Sequence, residues 1–179
     1  PYTVALAMLA VMMVPGGKLF DKYGPRVVAT AGGILLIAGM ALTSIQTTIP
    51  GFVFFFGVMV GAGSGIAYGV TIPSAVKWFP PAKRGLVSGL VVAGLGLAAA
   101  YAAPLAQAII NAVGVKQTFL IVGIVFGGLV VLLAQFLTVP PAGYVPPGTP
   151  EPAVSTEAAA NDFSPGAMMG TIQFWLIWS

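Results

Sequence analysis

The 179-residue sequence has no cysteine and no histidine, and its 7 Lys+Arg and 4 Asp+Glu leave it only 6% charged. The two missing residue types exclude imidazole acid–base catalysis, thiolate nucleophiles and metal sites built on imidazole or thiolate. Soluble domains carry about 25% charged residues. With 6% charged, 58% hydrophobic and a mean hydropathy of +1.01, a folded surface of this composition could not be hydrated. The same hydrophobicity excludes disorder. Seven scattered basic residues and a net charge of +3 supply no dense patch for nucleic acid. The remaining class is a chain whose solvent is the bilayer.

The position of the few charges divides that chain. Lys18, Asp21, Lys22 and Arg26 form one cluster, and Lys77, Lys83 and Arg84 a second. Lys116 stands alone, and Glu151, Glu157 and Asp162 come last. A membrane helix needs about 20 apolar residues. The uncharged stretch 27–76 is too long for one and breaks at Gln46-Thr47-Thr48-Ile49-Pro50-Gly51, a turn pattern. Spans are therefore expected near 27–45, 51–76, 85–110 and 118–138. Residues 1–17 read as the tail of a further span and 168–179 as the start of another. The fold class is all-α integral membrane, with about five spans and the start of a sixth. Pro1 opens the chain with no basic region before the first apolar stretch, so no signal-peptide pattern is present. Both ends read as interior to a longer protein.

Alternate loops lie on one side. Loops 18–26 and 77–84 carry six of the seven basic residues, which places them in the cytoplasm by the positive-inside bias. Segment 139–167 falls on the same side. It holds seven of the fifteen prolines and three of the four acids, and reads as a linker, either a semi-extended spacer or a plain long loop. The expected organisation is a partial bundle over 1–138, a cytoplasmic linker over 139–167 and the start of a second bundle over 168–179.

Within span 51–76, Gly57, Gly61, Gly65 and Gly69 recur every fourth residue. That spacing lets helix backbones approach closely, and packing is what associates helices in lipid. A second reading adds polar side chains. At 100° per residue Gly57, Gly61, Ser64, Tyr68 and Thr71 fall within about 80° of arc, a face that could line a water-filled cavity. Pro73 is expected to weaken the helix beyond it. The next span repeats the spacing at Gly85 and Gly89, places Tyr101 as a further cavity candidate, and is interrupted at Pro104. Gln107 and Gln135 suit span ends. No Asp, Glu, Lys, Arg or His lies at the middle of any span, so this part of the protein is expected to carry no side-chain proton relay.

The most ordered motif is Gly17-Lys18-Leu19-Phe20-Asp21-Lys22-Tyr23-Gly24-Pro25-Arg26. Gly17 and Gly24 permit tight turns at helix ends. Asp21 can lie near a helix N-terminus or pair with Arg26, Lys83 or Arg84. Gly17, Leu19, Asp21, Lys22, Gly24 and Arg26 resemble the loop between the second and third helices of the major facilitator superfamily. Pro25 differs from the basic residue commoner there. AVKWFPPAKRGLVSGLVVAGLGLAAA, VPPAGYVPPG and NDFSPGAMMGTIQFWLIW are similar to segments of its oxalate:formate antiporter family, with Pro81 and Ala82 in place of an acidic and a basic residue.

The resemblance implies a twelve-helix transporter of two six-helix halves, of which this chain spans the second helix to the start of the seventh. It implies transport of oxalate-, formate- or lactate-like carboxylates across a bacterial inner membrane by alternating access, with a site near the midplane and no cofactor. The implied partners are a small anion, the lipid bilayer and the second half of the transporter. Its anion-pairing basic residues are expected in that second half. On this reading Tyr68, Ser64, Thr71 and Tyr101 line the cavity, and Gly17, Asp21, Gly24 and Arg26, with Arg84, latch the cytoplasmic face. A non-transporting receptor or scaffold on the same fold, or a transporter of another solute, stays open. An intramembrane enzyme is disfavoured: no span carries a carboxylate, and the Ser and Thr hydroxyls have no base beside them.

Overall fold

A computed structural model describes residues 1–141 together with Tyr144 and Pro146; most of the expected 139–167 linker and all of 168–179 lie outside the described residues. Every described element is helical: α1 (Tyr2–Ser44), α2 (Ile49–Phe52), a π-helical stretch (Val53–Val60), α3 (Gly61–Val76), α4 (Pro81–Val113) and α5 (Val115–Ala134). Among the described residues four continuous helical runs are long and apolar enough to cross a membrane: α1, Ile49–Val76, α4 and α5.

α1 is two limbs. Gly24 leaves the helical region at φ 79°, ψ 168°, a conformation that favours glycine, and Pro25 restarts the helix. Contacts fix the chain directions. Gly57, Gly61, Gly65 and Gly69 meet Val4, Ala5, Leu9 and Met13 in rising order, so the first limb runs parallel to Ile49–Val76. Gly63 meets Gly32 and Leu36 while Gly39 meets Val60, so the second limb runs antiparallel to it. Gly33 lies against Val131, and Gly127 and Gly123 against Ile37 and Met40, which makes α5 antiparallel to the second limb. The described residues therefore form alternating helical passes: the two limbs of α1, Ile49–Val76, α4 and α5. Each limb of about 20 residues is about 30 Å long, the thickness of a hydrocarbon core.

Two expected loops are shorter than charge placement suggested. The basic loop 18–26 is helical apart from the single break at Gly24, and 77–84 shrinks to 77–80 because α4 begins at Pro81 after an extended Pro80 (ψ 155°). Helix ends follow backbone geometry, here a positive-φ glycine and a proline at the first helical position. Hydropathy marks only where the lipid ends. The prolines correct the reading in the other direction. α3 continues through Pro73 to Val76, and α4 through Pro104 to Val113. In hydrocarbon an unsatisfied backbone group costs several kcal/mol, so the helix accommodates its proline and continues. Near Pro73, the Ser74 hydroxyl donates to Val70 O at 2.5 Å and that of Thr71 to Ala67 O at 2.9 Å.

The break at Gly24, the turn 77–80 and the end of α5 lie on one face of the bundle. Phe20, Val28, Ala29, Val70 and Ala134 form a buried core there, with Ile66 and Leu137 packed against it. At the opposite end Phe52, Phe56 and Phe119 cluster with ring centroids 5.5–5.8 Å apart, tying α2 to the start of α5. Buried hydroxyls of Thr43, Ser44, Ser74 and Thr118 donate to carbonyls of the preceding turn. Among the described residues no buried side-chain polar atom lacks a partner. α4 has no buried residue.

Candidate functional site

Ser64, Tyr68 and Thr71 line one cleft of about 440 Å³, with Leu36 of α1 and Val130 and Leu133 of α5 among its walls. The Thr71 hydroxyl is spent on Ala67 O. Those of Ser64 and Tyr68 make no hydrogen bond among the described residues, and both residues are half-buried. The cleft thus presents two neutral O–H donors in an apolar wall. Such a site can orient an oxygen-bearing solute but cannot neutralise its charge.

The face computed at 100° per residue does not survive intact. Gly57 and Gly61 turn toward the first limb of α1, while Ser64, Tyr68 and Thr71 open toward α5. Gly61 shares α3 with Ser64, Tyr68 and Thr71, so the arc of about 80° borders two neighbours, with the first limb on its glycine edge and the second limb and α5 on its polar edge. Tyr101 is 56% exposed on α4 and takes no part in this cleft.

The glycine stripe makes backbone contacts. A Cβ on Gly61 would stand 2.5 Å from Ala5 O, and one on Gly69 2.9 Å from Met13 O. Gly85 and Gly89 differ: nothing lies within 4 Å of where their Cβ atoms would be. A further backbone crossing joins Gly32 to Gly63, where a Cβ added to either would stand 2.7–2.8 Å from the other's carbonyl oxygen. Sequence reasoning missed that pair, because neither glycine belongs to the four-residue repeat. A scan for small residues, which occur at 29, 31, 32, 33, 38 and 39, would have pointed to it.

On the basic face, Asp21 is exposed and, among the described residues, forms no ion pair with Arg26, Lys83 or Arg84. Arg26 lies beyond the Gly24 break, and its Nε donates to Leu137 O at 3.1 Å. Arg84 Nε donates to Phe79 O at 3.4 Å, at the foot of its own helix. Lys22 Nζ lies 5.1 Å from the Tyr23 ring centre, Leu19 is 39% exposed, and Gly17 has open space around it. Lys83 is exposed. Two residues not singled out from the sequence complete this face. Lys77 Nζ stands 4.3 Å over the ring of buried Phe20, and Trp78 Nε1 donates to Thr138 O at 2.9 Å. Their signal was the run Lys77-Trp78-Phe79, an aromatic–basic cluster at a span end. Arg26 and Trp78 together hold two successive carbonyls where the chain leaves α5. No group of three metal-ligating residues occurs among the described residues.

The family model described as Major Facilitator Superfamily matches residues 2–179. The oxalate:formate antiporter of Oxalobacter formigenes is 33% identical over 178 residues, 99% of this chain and 40% of that protein. An uncharacterized MFS-type transporter, YhjX, of Escherichia coli is 28% identical over 169 residues, 94% of this chain and 40% of its own length. Human monocarboxylate transporter 2 is 33% identical over 123 residues, 67% of this chain and 26% of that protein. The chain spans about 40% of the length of the first two of these relatives.

Proposed function

The chain belongs to the major facilitator superfamily, and from that membership we propose that it forms the amino-terminal part of a secondary transporter for small carboxylates of the oxalate, formate or lactate kind. It is an integral membrane protein by its family and its apolar helices. The proposed setting is a bacterial inner membrane with the Gly24, 77–80 and 139–167 side in the cytoplasm. The observation that carries the substrate class is the similarity to the oxalate:formate antiporter over 99% of the chain. The two free hydroxyls of Ser64 and Tyr68 supply neutral donors for carboxylate oxygens. The charge-free passes leave the neutralising cation to the second half of the transporter.

Alternating access then moves one half against the other about a midplane site. The stripe Gly57, Gly61, Gly65 and Gly69 gives a close surface at which Gly61, Gly65 and Gly69 meet the backbone of the first limb. Gly85, Gly89 and Tyr101 lie on the open helix α4 and are available to the other half. Gly17, Asp21, Gly24 and Arg26, with Lys83 and Arg84, form the latch of the basic face, and Asp21 is unpaired in the conformation described above.

Counterflow of labelled oxalate, formate and lactate in proteoliposomes of the full transporter tests the proposal. Exchange of at least one of these, weakened by Tyr68→Phe, is expected. Ligand binding without flux would favour a receptor on the same fold, and exchange of none would refute the carboxylate reading.

A further inference from the structure

A second groove lies on the outer surface of the basic face, apart from the hydroxyl cleft. It has a volume of about 420 Å³ and is lined by Arg26, Val27, Thr30, Ala31 and Ile34 of α1 and by Gln135 at the end of α5. Its polar groups are stacked at one end. Arg26 is exposed, and only its Nε is engaged, on Leu137 O. Its terminal nitrogens have no partner among the described residues, and Asp21 does not pair with it. Gln135 Nε2 donates to Thr30 Oγ1 and to Val131 O, each at 3.0 Å. Thr30 Oγ1 accepts that bond, so its own hydrogen remains free to donate outward.

The other end is apolar and open. Ile34 there is 56% exposed and Leu132 on the neighbouring α5 65%, while Val27, 59% exposed, lies beside Arg26. Arg26 to Ile34 is eight residues of helix, about 12 Å along the span. The groove therefore passes from a guanidinium fork, through a hydroxyl, to exposed aliphatic surface. That order matches a phospholipid: a phosphate needs a cation and donors at the interface, and acyl chains need apolar wall below it. A free oxyanion would use the first part and leave the apolar wall bare.

We propose that the Arg26–Thr30–Gln135 groove is a binding site for the phosphodiester headgroup of an anionic phospholipid, with the acyl chains lying along Val27 and Ile34. Because Arg26 also holds Leu137 O, an occupied groove bears directly on the end of α5. The site depends on membrane insertion alone and not on the carboxylate reading.

The test is native mass spectrometry of the 179-residue chain released from detergent, titrated with phosphatidylglycerol or phosphatidylcholine of matched chains. One phosphatidylglycerol is expected to be retained in preference to phosphatidylcholine. Arg26→Gln should weaken its retention about fivefold, the equivalent of about 1 kcal/mol for one basic residue near an anionic surface. Ile34→Trp fills the groove without touching Arg26 and should weaken it comparably; this variant decides the matter if Arg26→Gln does not fold. Lys83→Gln, elsewhere on the same face, should leave it unchanged. Equal retention of the two lipids, equal loss in Lys83→Gln, unchanged retention in Ile34→Trp, or displacement by millimolar inorganic phosphate would each overturn the proposal.

Discussion

Adding one methyl group to Gly63 probes the backbone crossing between the second limb of α1 and α3. A Cβ there would stand 2.7 Å from Gly32 O and 2.8 Å from Leu36 N, both backbone atoms that cannot swing aside. Against the 3.4 Å at which contact becomes ordinary, the shortfall is about 0.7 Å. The second limb of α1 and α3 must separate by about that much along the crossing. A gap of 0.5–1 Å forfeits about a quarter to a half of each dispersion contact it opens, and overpacking of this kind costs about 1–3 kcal/mol. Gly63→Ala should therefore lower unfolding free energy by about 2 kcal/mol, read by circular dichroism during SDS titration in mixed micelles. Gly89→Ala is the control. Nothing lies within 4 Å of its Cβ position, and alanine is the better helix former by about 1 kcal/mol, so this variant should be neutral or stabilised. Gly32→Ala should cost as much as Gly63→Ala, and the double variant less than their sum, because one separation relieves both contacts. Strict additivity, or a Gly89→Ala loss as large as that of Gly63→Ala, would refute the reasoning.

Tyr68→Phe removes a hydroxyl with no internal partner, so the thermal stability of the chain should hold within about 0.5 kcal/mol. In the full transporter, losing one donor to a charged solute should raise KM about tenfold in counterflow. Asp21→Asn should leave the stability of this chain unchanged, since Asp21 pairs with no cation here; exchange by the full transporter should fall if the latch operates, and unchanged transport with an unchanged distribution of inward- and outward-facing states would sink that role. Trp78→Phe keeps the ring beside Tyr144 (centroids 5.5 Å apart) but loses the donor to Thr138 O, which should cost about 1 kcal/mol in the same SDS titration. An effect as large as that of a core truncation would assign Trp78 a packing role instead.

The passes were legible because transfer into lipid depends on the composition of each segment, and each boundary lay within a few residues of the observed helix. The boundaries themselves were set by single backbone positions. Gly24 at φ 79° replaced a nine-residue loop, and Pro81 drew α4 four residues earlier than hydropathy suggested. The cavity candidates were partly legible. Ser64, Tyr68 and Thr71 do share a cleft, but Gly57 and Gly61 turn to the first limb at the edge of the same arc, and Tyr101 lies on the exposed α4.

By itself the sequence determined that this is a membrane-embedded all-helical chain, that six of its seven basic residues gather on one face, and that its passes carry no charge at their centres. These follow from hydration free energies that each residue brings whatever its neighbours. The tertiary structure alone decided which glycines touch, that Asp21 has no ion-pair partner among the described residues, and that Arg26 and Trp78 hold the carbonyls at the end of α5. Those outcomes depend on how each helix is rotated about its axis. In a bilayer, where every apolar face is equally solvated, that rotation is fixed by interhelical packing and hydrogen bonding.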